Sequence, residues 1–140
     1  MDKRRGAALG LALTAVLAVS ACESDSSGGG GGGDDDSLKI ALLLPESQTT
    51  RYESFDRPLF EAAVEDQCPD GTTCEVLYSN ANQDAEQQQS QAEAAINNGA
   101  DVLVLDPVDG DAAANIAATA KEKDIPVVAY DRSIKDSDVA

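Results

Sequence analysis

The chain has 140 residues, room for one modest domain, and carries 26 acidic against 10 basic side chains, a formal net charge of −16. With no basic stripe and no aromatic interleaving, that balance argues against nucleic acid as a partner. The absence of His and the presence of only three Cys exclude a multi-His zinc or haem site, and 4% aromatic residues with no Trp leave no large platform for stacking on a ring.

The N-terminus is an address. Lys3, Arg4 and Arg5 form a basic head, followed by an apolar run of 13 residues from Ala7 to Val19. That is shorter than the roughly 20 residues needed to span a bilayer, and it suits the core of a secretory signal. The run ends Val19-Ser20-Ala21-Cys22, which resembles the lipobox of bacterial lipoproteins, with Cys22 as the lipidated residue. An ordinary signal peptide or a short membrane helix with an incidental Cys is the competing account. Ser24-Asp25-Ser26-Ser27, the six glycines Gly28 to Gly33 and Asp34-Asp35-Asp36-Ser37 cannot bury a core. As a flexible leash they would reach roughly 20 Å r.m.s.. The expected organisation is a lipoprotein signal peptide over residues 1–21, a lipidated Cys22 and tether over 22–37, and a domain over 38–140. Such a protein would sit in the extracytoplasmic space, held to the outer face of the cytoplasmic membrane by its lipid. Loss of residues 1–21 removes three basic residues and Asp2, leaving 7 basic and 25 acidic residues, −18 net. Solubility and self-repulsion account for that charge.

With Cys22 assigned to lipid, Cys68 and Cys74 remain, flanking Pro69-Asp70-Gly71-Thr72-Thr73. In an oxidising compartment they are expected to form a disulfide that pins a helix-to-strand turn, contributing on the order of 2 kcal/mol. Two thiols alone make a poor metal site, and a catalytic dithiol usually has the tighter C-x-x-C spacing.

The domain alternates strand and helix. Leu38 to Leu44 is a near-continuous apolar run stopped by Pro45, as in a central parallel strand. A polar loop, Glu46 to Tyr52, leads into a helix to about Asp66, with Phe55, Leu59, Phe60, Ala63 and Val64 on one face. Pro58 has to lie in the first turn of that helix. Glu75 to Tyr78 is a second strand. Asn80-Ala81-Asn82-Gln83-Asp84 supplies caps for a second helix to about Asn98, with Gly99 at its left-handed end. Val102 to Leu105 is a third strand, stopped by Asp106-Pro107. Asp109-Gly110-Asp111 starts a third helix to about Lys123, and Ile125 to Val128 closes the series. The order βαβαβαβ with short connections indicates an α/β domain on a parallel sheet.

Ala129-Tyr130-Asp131-Arg132 follows the fourth strand, where open α/β sheets gather ligands. An Asp carboxylate only accepts hydrogen bonds and an Arg guanidinium only donates them, and a sugar hydroxyl needs both. On residue type alone the pair reads as a surface turn with a weak ion pair. Glu46 and Asn82 also lie just past strand ends, where capping and loop solvation explain them. Asp106, Asp109 and Asp111 suggest a metal, yet their spacing lacks the alternate acidic ligands and distal Glu of a calcium loop. Helix capping and solvation explain Asp109 and Asp111.

Several stretches together are similar to the N-terminal part of the type I periplasmic sugar-binding proteins, the substrate-binding components of ABC importers. These are Lys39-Ile40, Arg51-Tyr52, Ser90-Gln91, Asn98-Gly99-Ala100-Asp101-Val102-Leu103-Val104 and Val128-Ala129-Tyr130-Asp131-Arg132, and they span residues 38–140. The D-xylose-binding branch is the most similar. Tyr-Asp-Arg after the fourth strand, with Arg at the head of the first helix, is the most specific combination. The resemblance implies a partial N-terminal lobe of the type I fold, with Asp131 and Arg132 on sugar hydroxyls and Arg51 and Tyr52 beside them. It implies a monosaccharide ligand such as a xylose-like pentose, an ABC permease as partner, a lipid-anchored location, no cofactor and no enzymatic activity. Tyr52 stands where that branch often has Trp.

A dinucleotide enzyme would want G-x-G-x-x-G after the first strand, where the chain has Pro45-Glu46-Ser47-Gln48. A lipoprotein that presents sugar to a membrane receptor is the alternative in another class, and a truncated, non-binding remnant is a third. The type I fold runs on into further strands, a hinge and a second lobe, so the 140 residues are expected to be a fragment or a truncated frame. In isolation residues 38–140 would have an exposed sheet edge, marginal stability and no measurable sugar affinity.

Overall fold

The structure is a computed structural model that describes residues 37–137 and 139. The expected signal peptide, Cys22 and the tether as far as Asp36 lie outside the described residues. Strand β1, Ser37–Leu44, takes in Ser37, one residue that the sequence assigned to the tether, and its last four residues are buried. It is the centre of the domain, pairing in parallel with β2 (Thr73–Asn80) on one side and with β3 (Val102–Leu105) on the other. Strand β4, Val127–Ala129, pairs in parallel with β3, so the sheet order is β2-β1-β3-β4.

The period of two along β1 and β3 divides the core between the two faces. Ala41, Leu43, Leu103 and Leu105 point to one face, where they meet helix α2 (Ala85–Asn97) and helix α3 (Gly110–Lys121) through Ala92, Ala95, Ala113, Ile116, Ala117 and Ala120. Leu42, Leu44 and Val104 point to the other face, with Tyr52 and the partly buried Phe60 and Tyr78. Each fully buried Leu contributes about 1.5–3 kcal/mol. The helix ends follow from the local sequence. The Asp84 carboxylate accepts from the N–H groups of Glu86 and Gln87, and Asp109 accepts from those of Asp111 and Ala112. Gly99 ends α2 with φ +81°, its N–H donating to Ile96 O at 3.0 Å.

The first helix departs from the expected pattern. It begins as a π-helical segment, Tyr52–Asp56, and continues as α1, Arg57–Gln67, with Pro58 in its first turn. Tyr52 is buried, and the partly buried positions after it are Glu53, Asp56, Arg57, Phe60, Glu61 and Val64. Phe55 and Leu59, expected on the apolar face, are 58% and 65% exposed, and Ala63 is exposed with them, while Phe60 and Val64 are partly buried. The physical reason is the wider first turn: it holds more residues than an α-turn, so the inward stripe passes one residue beyond Phe55 and Leu59. The bond between Cys68 and Cys74 joins the end of α1 to the second residue of β2.

Candidate functional site

Because the strands are parallel and adjacent, the residues after β1, β3 and β4 meet at one edge of the sheet. Tyr52 is carried inward by the π-helical turn to 3% exposure, and its hydroxyl donates to Asp131 Oδ2 at 2.9 Å. Arg51 Nη2 lies 2.9 Å from the other oxygen of Asp131, while its Nε donates to Asp56. The Arg51 guanidinium also stands 5.2 Å from the centre of the Tyr52 ring. Held by Tyr52 first and by Arg51 next, the Asp131 carboxyl titrates below the usual range and stays ionised. Burial pushes the Tyr52 hydroxyl up, so it remains a proton donor.

The chain turns sharply to achieve this. Tyr130 N donates to Leu105 O, the last rung of the ladder, and Arg132 N then donates to Tyr130 O at 2.6 Å. The three-residue turn is centred on Asp131, whose φ is +58°. Holding a non-glycine residue there costs on the order of 1 kcal/mol, a strain that collects where side chains must be aimed. The turn sends Arg132 back across the strand ends, where Nη1 donates to Pro107 O at 3.2 Å and Nη2 to the Tyr52 hydroxyl at 3.4 Å. A cavity of about 280 Å³ opens beside it, lined by Pro45, Glu46, Gln83, Val108 and Arg132.

Arg51, Tyr52, Asp131 and Arg132, drawn from two distant stretches, therefore come together in one cluster. Glu46 lies at its border. The carboxylate is 5% exposed, accepts from Gln48 N and Thr49 N, and is held below the usual carboxylate range by Thr49 first, with Arg132 adding to the effect. Asn82 is exposed, its N–H donating to Asn80 Oδ1, and with Gln83 it forms a left-handed pair at φ +50° and +67°. The three aspartates Asp106, Asp109 and Asp111 go separate ways. Asp109 caps α3, Asp111 pairs with Lys135 at 2.7 Å, and Asp106 is fully buried.

Asp106 is the site neighbour that sequence reasoning missed. It follows β3 at the same edge as Asp131, and that placement was the available signal. Its Oδ1 is 3.7 Å from Arg132 Nε, too far for a hydrogen bond. Burial pushes its carboxyl up to about 6, opposed by Tyr52 and Arg132 and assisted by Asp131. Gln88, itself buried, clamps the loop by donating to Asp106 O at 2.8 Å and accepting from Val108 N at 2.9 Å.

Guanidinium donors, carboxylate acceptors and a phenol at the strand ends of a parallel α/β sheet can bond groups that both donate and accept hydrogen bonds. Residues 40–140 match the periplasmic binding protein domain, and the chain belongs to that family. It is 35% identical over 102 residues to the D-xylose-binding periplasmic protein of Escherichia coli K12, covering 73% of this chain and 29% of that protein. It is also 35% identical over 66 residues to the xylitol-binding protein of Mycolicibacterium smegmatis, covering 47% of this chain and 19% of that one. Among solved structures, an ABC transporter solute-binding protein from Clostridium phytofermentans with bound β-D-glucose superimposes with a TM-score of 0.65 at 32% identity, over 73% of this chain and 30% of that one. The chain thus spans less than a third of the length of these relatives. They are named as binding proteins and not as enzymes.

Proposed function

We propose that residues 38–140 form part of the first lobe of an extracytoplasmic monosaccharide-binding protein that delivers a xylose-like sugar to an ABC permease. The observation that carries this reading is the convergence of Arg51, Tyr52, Asp131 and Arg132 at the strand ends. These groups satisfy one another through the contacts of Tyr52 and Arg51 with Asp131 and of Arg132 with Tyr52. A sugar hydroxyl both donates and accepts, so it can take Asp131 as acceptor and Arg51 or Arg132 as donor without leaving a charge unpaired. Relatives named for D-xylose and xylitol, and one solved with β-D-glucose, support the ligand class. Cys22 is the proposed attachment point for a lipid, with the glycine-rich stretch as tether to the membrane.

The test is calorimetric titration of the protein extracted intact from its host with D-xylose, D-glucose and xylitol. Saturable binding of at least one of them is expected, and Arg132→Ala should weaken it by well over tenfold, since truncation strands the groups that Arg132 serves. An absence of binding across the panel would remove the sugar reading, and an unchanged affinity in Arg132→Ala would remove that residue from the site.

A further inference from the structure

Asp106 has chemistry that the proposed sugar contacts leave unspent. Its side chain is 0% exposed, and among the described residues neither carboxylate oxygen has a hydrogen-bond partner. The neighbouring Tyr52 hydroxyl has one proton, which goes to Asp131. The backbone around Asp106 is fixed, with its N–H on Leu43 O at 3.0 Å and its carbonyl on Gln88. A side chain kept only for packing would be better served by an apolar residue, because an unsatisfied buried carboxylate is costly. What Asp106 faces is a cation. Arg132 has Nη1 on Pro107 O and Nη2 on the Tyr52 hydroxyl, which leaves Nε toward Asp106 at 3.7 Å.

We propose that Asp106 is a positioning residue of the ligand site: its buried anion draws the Arg132 guanidinium inward and sets the face that Arg132 presents, so ligand affinity follows the charge on Asp106. This rests on the sugar-binding reading for its ligand, but the coupling of Asp106 to Arg132 does not.

The charged and titratable groups around Asp106 are Arg51 and Tyr52 from the head of the first helix and Asp131 and Arg132 from the turn after β4. Glu46, after β1, acts on Arg132 from the cavity side, and α2 contributes the neutral Gln88. Tyr52 is shifted upward and stays neutral, while Asp131 and Glu46 are shifted downward and stay ionised. Asp106, near 6, is the member of this set whose charge changes in mild acid. When it takes a proton, the pull on Arg132 Nε is lost, and the new O–H can donate to the Tyr52 oxygen.

The experiment pairs two readouts on the intact protein and on Asp106→Asn. The first is D-xylose affinity at about pH 7.5 and about pH 5. Wild type should lose roughly five- to tenfold, and the Asn variant should show a flat profile at the weaker affinity. An Asn variant that keeps the wild-type profile, or a flat wild-type profile, overturns the proposal. The second readout needs no sugar: the Arg132 Nε–H resonance in NMR should move with a midpoint near 6 in wild type and stay still in the variant. A resonance unmoved in wild type overturns the proposal even if the variant does not fold. If no sugar binds at any pH while the resonance moves, the sugar reading fails and the positioning of Arg132 by Asp106 stands.

Discussion

Replacing Asp106 by Asn should stabilise the fold at neutral pH and do nothing for it in acid. The carboxyl sits near 6 in the folded protein against an ordinary value of 3.8. The dominant cause is burial, which disfavours the charged form. A raised folded-state value means that the unfolded chain releases this proton more readily, so the contribution to stability is complete below about pH 4 and is lost as pH rises through about 6. At about 1.36 kcal/mol per unit, the loss at pH 7 is up to about 3 kcal/mol. Asn keeps the shape and removes the charge, so the variant should gain about 1–3 kcal/mol over wild type at pH 7, the lower figure allowing for the lost attraction to Arg132. Urea denaturation across pH 4 to 8 measures this, with the two proteins converging near the acid end. A variant less stable than wild type at neutral pH would refute the reasoning, because it would mean that attraction to Arg132 outweighs the cost of burial. The expected combination, a more stable protein with a poorer ligand site, is the trade usual for strained functional groups.

Three other outcomes follow from the same geometry. The tyrosines Tyr52, Tyr78 and Tyr130 are all shifted upward, burial being the first cause for each. Alkaline titration followed by absorbance should therefore show a midpoint above the ordinary value of 10.0, and an ordinary curve would contradict the burial of these rings. Gln88→Leu should cost about 2–3 kcal/mol, because the carbonyl of Asp106 and the N–H of Val108 lose their shared partner inside the protein; a thermal midpoint within a degree or so of wild type would count against the clamp. Arg132→Lys should fail to restore the affinity lost in Arg132→Ala, since one ammonium cannot reach Pro107 O, the Tyr52 hydroxyl and Asp106 together. Calorimetry reads that comparison, and full rescue by Lys would show that charge alone suffices.

Much of the fold lies in local sequence. The runs Leu38–Leu44 and Val102–Leu105 are apolar enough to be buried strands whatever surrounds them, and Pro45 and Pro107 end them because proline cannot extend the ladder. Asp84 and Asp109 cap the helices that follow them through bonds to N–H groups two and three residues on, an interaction complete within one turn. Asp131-Arg132 was legible for a related reason, since its meaning comes from standing directly after a strand in an alternating α/β chain.

The rest depended on groups far apart in the chain. The tyrosine that binds Asp131 stands 79 residues before it, and a separation of that kind leaves no periodic trace. Phe55 and Leu59 satisfy an ideal helical stripe in the sequence, whereas the π-helical start turns them to solvent. Asp106 stands after a strand as Asp131 does, but its burial and its approach to Arg132 depend on residues distant in the chain. The strands and the helix caps follow from runs and bonds a few residues long, and the alternation of strand and helix points to the sheet end where polar groups collect. The burial of Asp106 and its approach to Arg132 come from tertiary packing. Burial and the strength of a charge depend on what the rest of the chain places around a residue, and that is set by packing.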